Sequence, residues 1–357
     1  MHERSSDLSI RDVPLAKIVM GAHGAFADLV FSLTEEIAHA AGIGSLRIDR
    51  FDIIDFSDAP SRVLLCNYPS NQIVTTIARG DLVVLFLLEP VADTLLFMER
   101  SLGIEPLASI RSQSASAVAN LAIGQCNTVR YLDRTQDNNT LLQLTKNLSD
   151  FLGVGLTPEQ CRALAGGVSL GLGCEAGVEE FLARRAEGLR GTDRDTVYAP
   201  AIARPWADVG RDVVDGALAM ARFGSPRPIV WPTEVFSLGA SRLKGTPGAV
   251  AAAGPSRNIY YGPYFYLPPS RYLVEVFVHF TADTTLVPFA LEVHAGAWLT
   301  RATIENWHPG RLRGAFDLVH TDATSAVEIR LRNLAEITHG ALSLIEILFL
   351  PERDESL

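Results

Sequence analysis

The spacing of apolar positions changes once along the chain, near residue 230. Before that point, short apolar runs alternate with helical stripes. Residues 15–20 (LAKIVM) read as a buried strand. Beyond Gly21 and Gly24, the segment AFADLVFSLTEEIAHAAG sets Phe26, Leu29, Val30, Leu33 and Ile37 on one helix face, with Gly42 and Gly44 as its stop. Residues 62–66 (RVLLC) form a second strand, and Asn67-Tyr68-Pro69-Ser70 turns into a helix, NQIVTTIARG. Residues 82–88 (LVVLFLL) are apolar on both faces, which suits the centre of a parallel sheet. Glu89-Pro90 opens another helix, and a serine-rich helical stretch, IRSQSASAVANLAIG, follows. TVRYLD at 128–133 is a fourth strand. Residues 139–152 place Leu141, Leu142, Leu144, Leu148, Phe151 and Leu152 on one side of a helix. Thr157-Pro158-Glu159 starts the next, with Thr157 as N-cap and Pro158 in the first helical position. Such alternation predicts a three-layer α/β domain with a mainly parallel sheet, over 14–195.

Prolines 200, 205, 226 and 228 then break the pattern, and 196–227 reads as a connecting segment with one helical stretch, RDVVDGALAMARF. From 228 to 351 the period is two. Tyr272, Val274, Val276, Val278 and Phe280 share a face, as do Phe289, Leu291 and Val293, and Val327, Ile329 and Leu331. Glu328, Arg330 and Arg332 then point outward. Residues 341–350 form a last, more buried strand, and strands are expected near 230–237 and 259–266. About eight short strands separated by turn-rich segments predict an antiparallel, jelly-roll-like β-sandwich.

Length and composition fit two cores. A chain of 357 residues exceeds the ~250–300 that one core usually holds. The net charge of −10 argues against a nucleic-acid partner. Cys66, Cys126, Cys161 and Cys174 form no CxxC pair and read as buried free thiols, so no metal site is expected. The first residues lack an apolar signal core, and the seven-residue run 82–88 is too short to span a bilayer. A cytoplasmic protein is expected, with peripheral attachment to a membrane complex left open.

The chemistry begins at Gly21-Ala22-His23-Gly24-Ala25-Phe26, between a strand and a helix N-terminus, where free N–H groups attract anions. The segment is neither a Walker A motif nor GxGxxG. It suits a tight turn, or a weakened phosphate cradle with His23 at its lip. There is no GxSxG elbow for a hydrolase.

Motif order here resembles the P-loop-related sulfotransferases. The matching pieces are Asn67-Tyr68-Pro69, Leu88-Glu89-Pro90, Arg130-Tyr131-Leu132-Asp133, Asp150-Phe151-Leu152-Gly153 and Leu156-Thr157-Pro158-Glu159-Gln160, over about residues 15–165. The resemblance implies a donor site for PAPS in the first loop, formed here by Gly21, Ala22, Gly24 and Ala25, with His23 as the catalytic candidate. The residues that grip the donor differ. Ala22 stands for the family's Arg/Lys, Ala25 and Phe26 for its Thr pair, and Leu88 for the arginine of Arg-Asp-Pro. Each lost charge-assisted bond removes roughly 1.5–3 kcal/mol. No ordinary PAPS binding is expected unless other residues rebuild the site. Arg111, Ser112 and Ser114 offer a substitute anion site or, alternatively, the polar start of a helix.

In the second domain, Tyr260-Tyr261-Gly262-Pro263-Tyr264-Phe265-Tyr266-Leu267-Pro268-Pro269 resembles strands of carbohydrate-binding modules. Exposed aromatic rings stack on sugar C–H groups. Tyr261, Tyr264, Trp298 and Trp307 are the candidates, against the alternative that they fill the core. His308 and His320 read as loop or strand-end residues. The expected protein is an accessory or binding partner in polysaccharide synthesis or modification. An active sulfo- or glycosyltransferase working through His23 and a structural assembly subunit are the alternatives.

Overall fold

The computed structural model describes residues 16–48, 62–124, 126–135, 139–189, 205–223, 227–239, 249–281, 284, 287–305 and 308–352. The first half runs β1 (Ala16–Gly21), α1 (Ala25–Ala40), β2 (Gly44–Ile48), β3 (Arg62–Cys66), α2 (Asn71–Ala78), β4 (Leu82–Leu88), α3 (Val91–Leu102), α4 (Pro106–Gly124), β5 (Val129–Asp133), α5 (Leu141–Leu152), α6 (Pro158–Val168) and α7 (Val178–Leu189). Its five strands are parallel, in the order β2-β3-β1-β4-β5. Alternate strand residues point to opposite faces. Val19, Val63, Leu65, Leu85 and Leu87 therefore meet α1, α5, α6 and α7 on one side. Ile18, Met20, Leu64, Val84 and Phe86 meet α2 and the end of α4 on the other. The three-layer α/β expectation holds.

Local chemistry fixes the helix starts. Ser70, Thr140 and Thr157 each accept a first-turn N–H with the side-chain oxygen. Thr157 and Gln160 complete a reciprocal capping box, with Pro158 as the first helical residue. Two details differ from the sequence expectation. Helix α1 ends at Ala40, and Gly44 opens an edge strand, β2, instead of serving as a helix stop. Cys66 and Cys161 are buried free thiols, but Cys126 and Cys174 are only half-buried.

Helix α8 (Trp206–Phe223), inside the segment 196–227, packs against α3, α4 and the first strand of the second half. The sandwich then follows as β6 (Ile229–Pro232), β7 (Ser237–Leu238), β8 (Val250–Ala251), β9 (Asn258–Phe265), β10 (Ser270–Phe280), β11 (Pro288–Ala295), β12 (Ala297–Glu305), β13 (Gly310–His320), β14 (Val327–Asn333) and β15 (Ala341–Pro351). One antiparallel sheet has the order β13-β10-β15-β6, and the other β12-β11-β14-β9-β7. Trp231, Tyr260, Phe265, Tyr272, Phe280, Phe289 and Phe349 fill the space between them. Trp231 meets Phe265 edge-on at 5.5 Å and Phe349 at 4.5 Å. This core is continuous with Val91, Leu95, Ile110, Val209, Val213 and Val214 of α3, α4 and α8. Helices α3, α4 and α8 thus share an apolar core with the sandwich, while the two faces of the parallel sheet have cores of their own.

Candidate functional site

The glycine turn comes first, because a donor phosphate would sit there. Gly24 is the N-cap of α1 and has no side chain with which to cap it. Glu89, just past the end of β4, fills that role. Its Oε1 accepts the Phe26 N–H at 3.3 Å. A Cβ on Gly24 would lie 1.9 Å from Glu89 Oε2, so only glycine admits the carboxyl. The helix N-terminus is thus occupied by an acidic group from the chain itself.

Arg134, directly after β5, holds Glu89 in place. Its Nη1 donates to Glu89 at 3.2 Å and to Asp93 at 2.8 Å. Its Nε and Nη2 grip Glu179 on α7 in a fork, at 2.7 and 2.9 Å. One guanidinium therefore faces three carboxylates. The Glu89 side chain is 4% exposed against 43% for Asp93 and 58% for Glu179. Burial pushes its pKa from 4.5 up to about 7, against the pull of Arg134. A cavity of about 180 Å³ opens beside this network, lined by Glu89, Arg134, Leu96, Phe97 and Arg185 among others. Arg185 is engaged there by Asp28 and lies over the Phe97 ring.

The His23 ring lies 4.7 Å from that of Tyr68, and Asn67 Nδ2 donates to the Gly21 carbonyl at 3.1 Å. Arg111, Ser112 and Ser114 do not start a helix but lie inside α4, which begins at Pro106. Arg111 Nε donates to the Pro263 carbonyl at 2.7 Å, and its guanidinium stands 5.5 Å over the Tyr264 ring. Ser114 Oγ accepts the Tyr266 N–H at 3.2 Å. These side chains tie α4 to the sandwich.

On the sandwich, the structure gathers three of the four aromatic candidates on the outward face of the second sheet. Trp307 lies outside the described residues. Strand pairing sets two rows. One runs Arg301, Glu292, Arg330, Tyr261, and the other Trp298, His294, Glu328, Pro263. A register shift at Val293/His294 lets Trp298 and Arg301, three residues apart, share the face. Another shift, between Val327 and Glu328, leaves Tyr264 outside the pairing with a left-handed backbone, φ 67°. Its hydroxyl donates to Glu328 Oε1 at 2.9 Å. Burial and this bond push the Tyr264 hydroxyl pKa up. Strain of this kind, roughly 1–2 kcal/mol, gathers at binding sites. Trp298 is 63% exposed, with Nε1 bonded to the Thr300 carbonyl at 3.0 Å.

Glu328 faces outward as its alternation predicts, yet it is buried, because Tyr264 and Arg330 cover it. His320 is a strand-end residue, buried, with Nε2 against the Leu267 carbonyl at 3.1 Å; burial lowers its pKa. Sequence reasoning missed Glu89 and Arg134. Their only signal was an acid directly after the central apolar strand and an arginine directly after the next.

No protein-family model matches the chain, and no curated protein matches it. In structure it is similar to a mouse sulfotransferase complexed with PAP, 12% identical, over 54% of this chain and 77% of that one, at a TM-score of 0.34. It is also similar to the C-terminal carbohydrate-binding module of a laminarinase from Zobellia galactanivorans, 13% identical, over 35% of this chain and 99% of that one, at 0.26. A module from a Cellvibrio mixtus lichenase in complex with cellotriose is 12% identical, over 35% of this chain and 96% of that one, at 0.22. TM-scores this low carry no argument about activity. Among the described residues, no helix is long and apolar enough to cross a membrane.

Proposed function

We propose that this chain is a glycan-binding accessory protein of polysaccharide synthesis or modification whose α/β half does not transfer a sulfuryl group from PAPS. One observation carries the second part: Glu89 sits where the resemblance would put the donor's 5′-phosphosulfate, bonded to the Phe26 N–H and pressed against Gly24. A phosphate in that seat would meet a carboxyl group and its two acidic neighbours, Asp93 and Glu179, which already use Arg134. Support for glycan binding comes from the outward face bearing Tyr261, Tyr264 and Trp298, with arginine, glutamate and histidine between the rings. Flat rings beside hydrogen-bonding groups suit a saccharide.

Titration calorimetry of the whole chain tests both parts. The expected result is no heat with PAPS, and binding to at least one oligosaccharide from a panel that weakens tenfold or more in Trp298→Ala. Tight PAPS binding sinks the first part. A panel without a binder sinks the second.

A further inference from the structure

The charges on the sandwich face are not balanced. Glu328 is neutralised by Arg330, whose Nη2 donates to it at 2.6 Å. That leaves Glu292 as the one carboxylate between Arg332 at 3.8 Å, Arg301 at 4.0 Å and His294 at 3.9 Å. None of these three contacts is a hydrogen bond. Arg332 instead donates to Ser256 Oγ at 3.2 Å. Three guanidiniums, Arg301, Arg330 and Arg332, therefore stand among the described residues of this face against two carboxylates, Glu292 and Glu328. Glu305 points the same way as Glu292, but four residues along, roughly 13 Å. The imbalance is set against a net charge of −10 for the whole chain, so this patch differs in sign from its surroundings.

Resting on the glycan-binding reading above, we infer that this face takes an acidic saccharide, a sugar chain bearing carboxylate groups, with Arg301 and Arg332 as the pair that receives the anion. The side chains of these two arginines are 39% and 35% exposed and open to a ligand. Trp298, exposed at one end of the neighbouring row, supplies the stacking surface for the sugar ring. Stacking selects a saccharide over a polyanion without a ring face, and the arginine pair selects an acidic one over a neutral one.

Calorimetry with galacturonate oligomers, neutral xylo- and cello-oligomers, and polyglutamate tests this. The expected result is that the uronate oligomer binds at least tenfold tighter than its neutral counterparts and than polyglutamate. Arg301→Gln with Arg332→Gln removes that advantage. Glu292→Gln, which takes away the one opposing charge, tightens uronate binding. Selective binding of neutral oligomers overturns the inference and leaves the glycan reading standing. Binding of none of the saccharides overturns both. Equal binding of polyglutamate overturns the inference, because charge alone would then account for it. If the arginine variants fail to fold, Glu292→Gln decides: unchanged or weaker uronate binding counts against the arginine pair.

Discussion

At the scale of single residues, Glu89 carries the most information. It is an acid in a place that chemistry normally reserves for a bound anion, and it carries a proton at mildly acidic pH. With a folded pKa of about 7 against 4.5, the folded chain holds a proton between those values that the unfolded chain has lost. Stability from this group therefore falls as pH rises from 4.5 to about 7, and is flat beyond. The shift corresponds to about 3 kcal/mol at most. Urea unfolding at pH 5, 6, 7 and 8 should give a steeper loss for the native chain than for Glu89→Gln. Parallel pH profiles for the two would refute the assignment. None of this was legible in the sequence. Glu89 could be placed next to a strand end, but its meeting with Gly24 depends on how β1 and β4 lie side by side.

At the scale of elements, period and end chemistry carried most of the fold. The buried strands announce themselves by apolar runs, and Thr157-Pro158 announces a helix start. The edge strand β2 escaped because four of its five residues are exposed, so no alternation marks it. Tyr261 and Tyr264 could be picked out, but the shift that lifts Tyr264 out of register could not. Helix α4 shows a similar limit. Its arginine and serines look like an anion site in one dimension, and Arg111 and Ser114 act as a clasp on the end of β9 in three. Ser114→Ala removes the bond from the Tyr266 N–H and the hydroxyl's own bond to the Arg111 carbonyl, about 1–2 kcal/mol together. Arg111→Ala removes another plus the ring contact, about 2 kcal/mol together. Hydrogen exchange provides the sharper readout: the Tyr266 amide, which donates to Ser114, should exchange faster in Ser114→Ala. Unchanged protection of that amide would show the clasp to be incidental.

At the scale of the whole molecule, a boundary near residue 228 is clear in the sequence as a change of period, while the packing across it is not. Apolar residues of α3, α4 and α8 run into the sandwich core without a polar break, and local periodicity cannot report which helices meet which sheet. The expected consequence is one calorimetric unfolding transition for the intact chain. A fragment covering 228–351 should melt at a lower temperature, since it loses the helix α8 that packs against Pro228 and Ile229. Two separate transitions in the intact chain would contradict the shared interior. Unfolding in one transition through the shared helices also makes ligand energy common property. A saccharide that binds only the folded sandwich at a hundred times its dissociation constant adds about 2.7 kcal/mol, and that increment protects α1 and the parallel sheet as much as the strands beneath the sugar. Resistance of the α/β half to proteolysis would then report on sugar bound at the distant sandwich face.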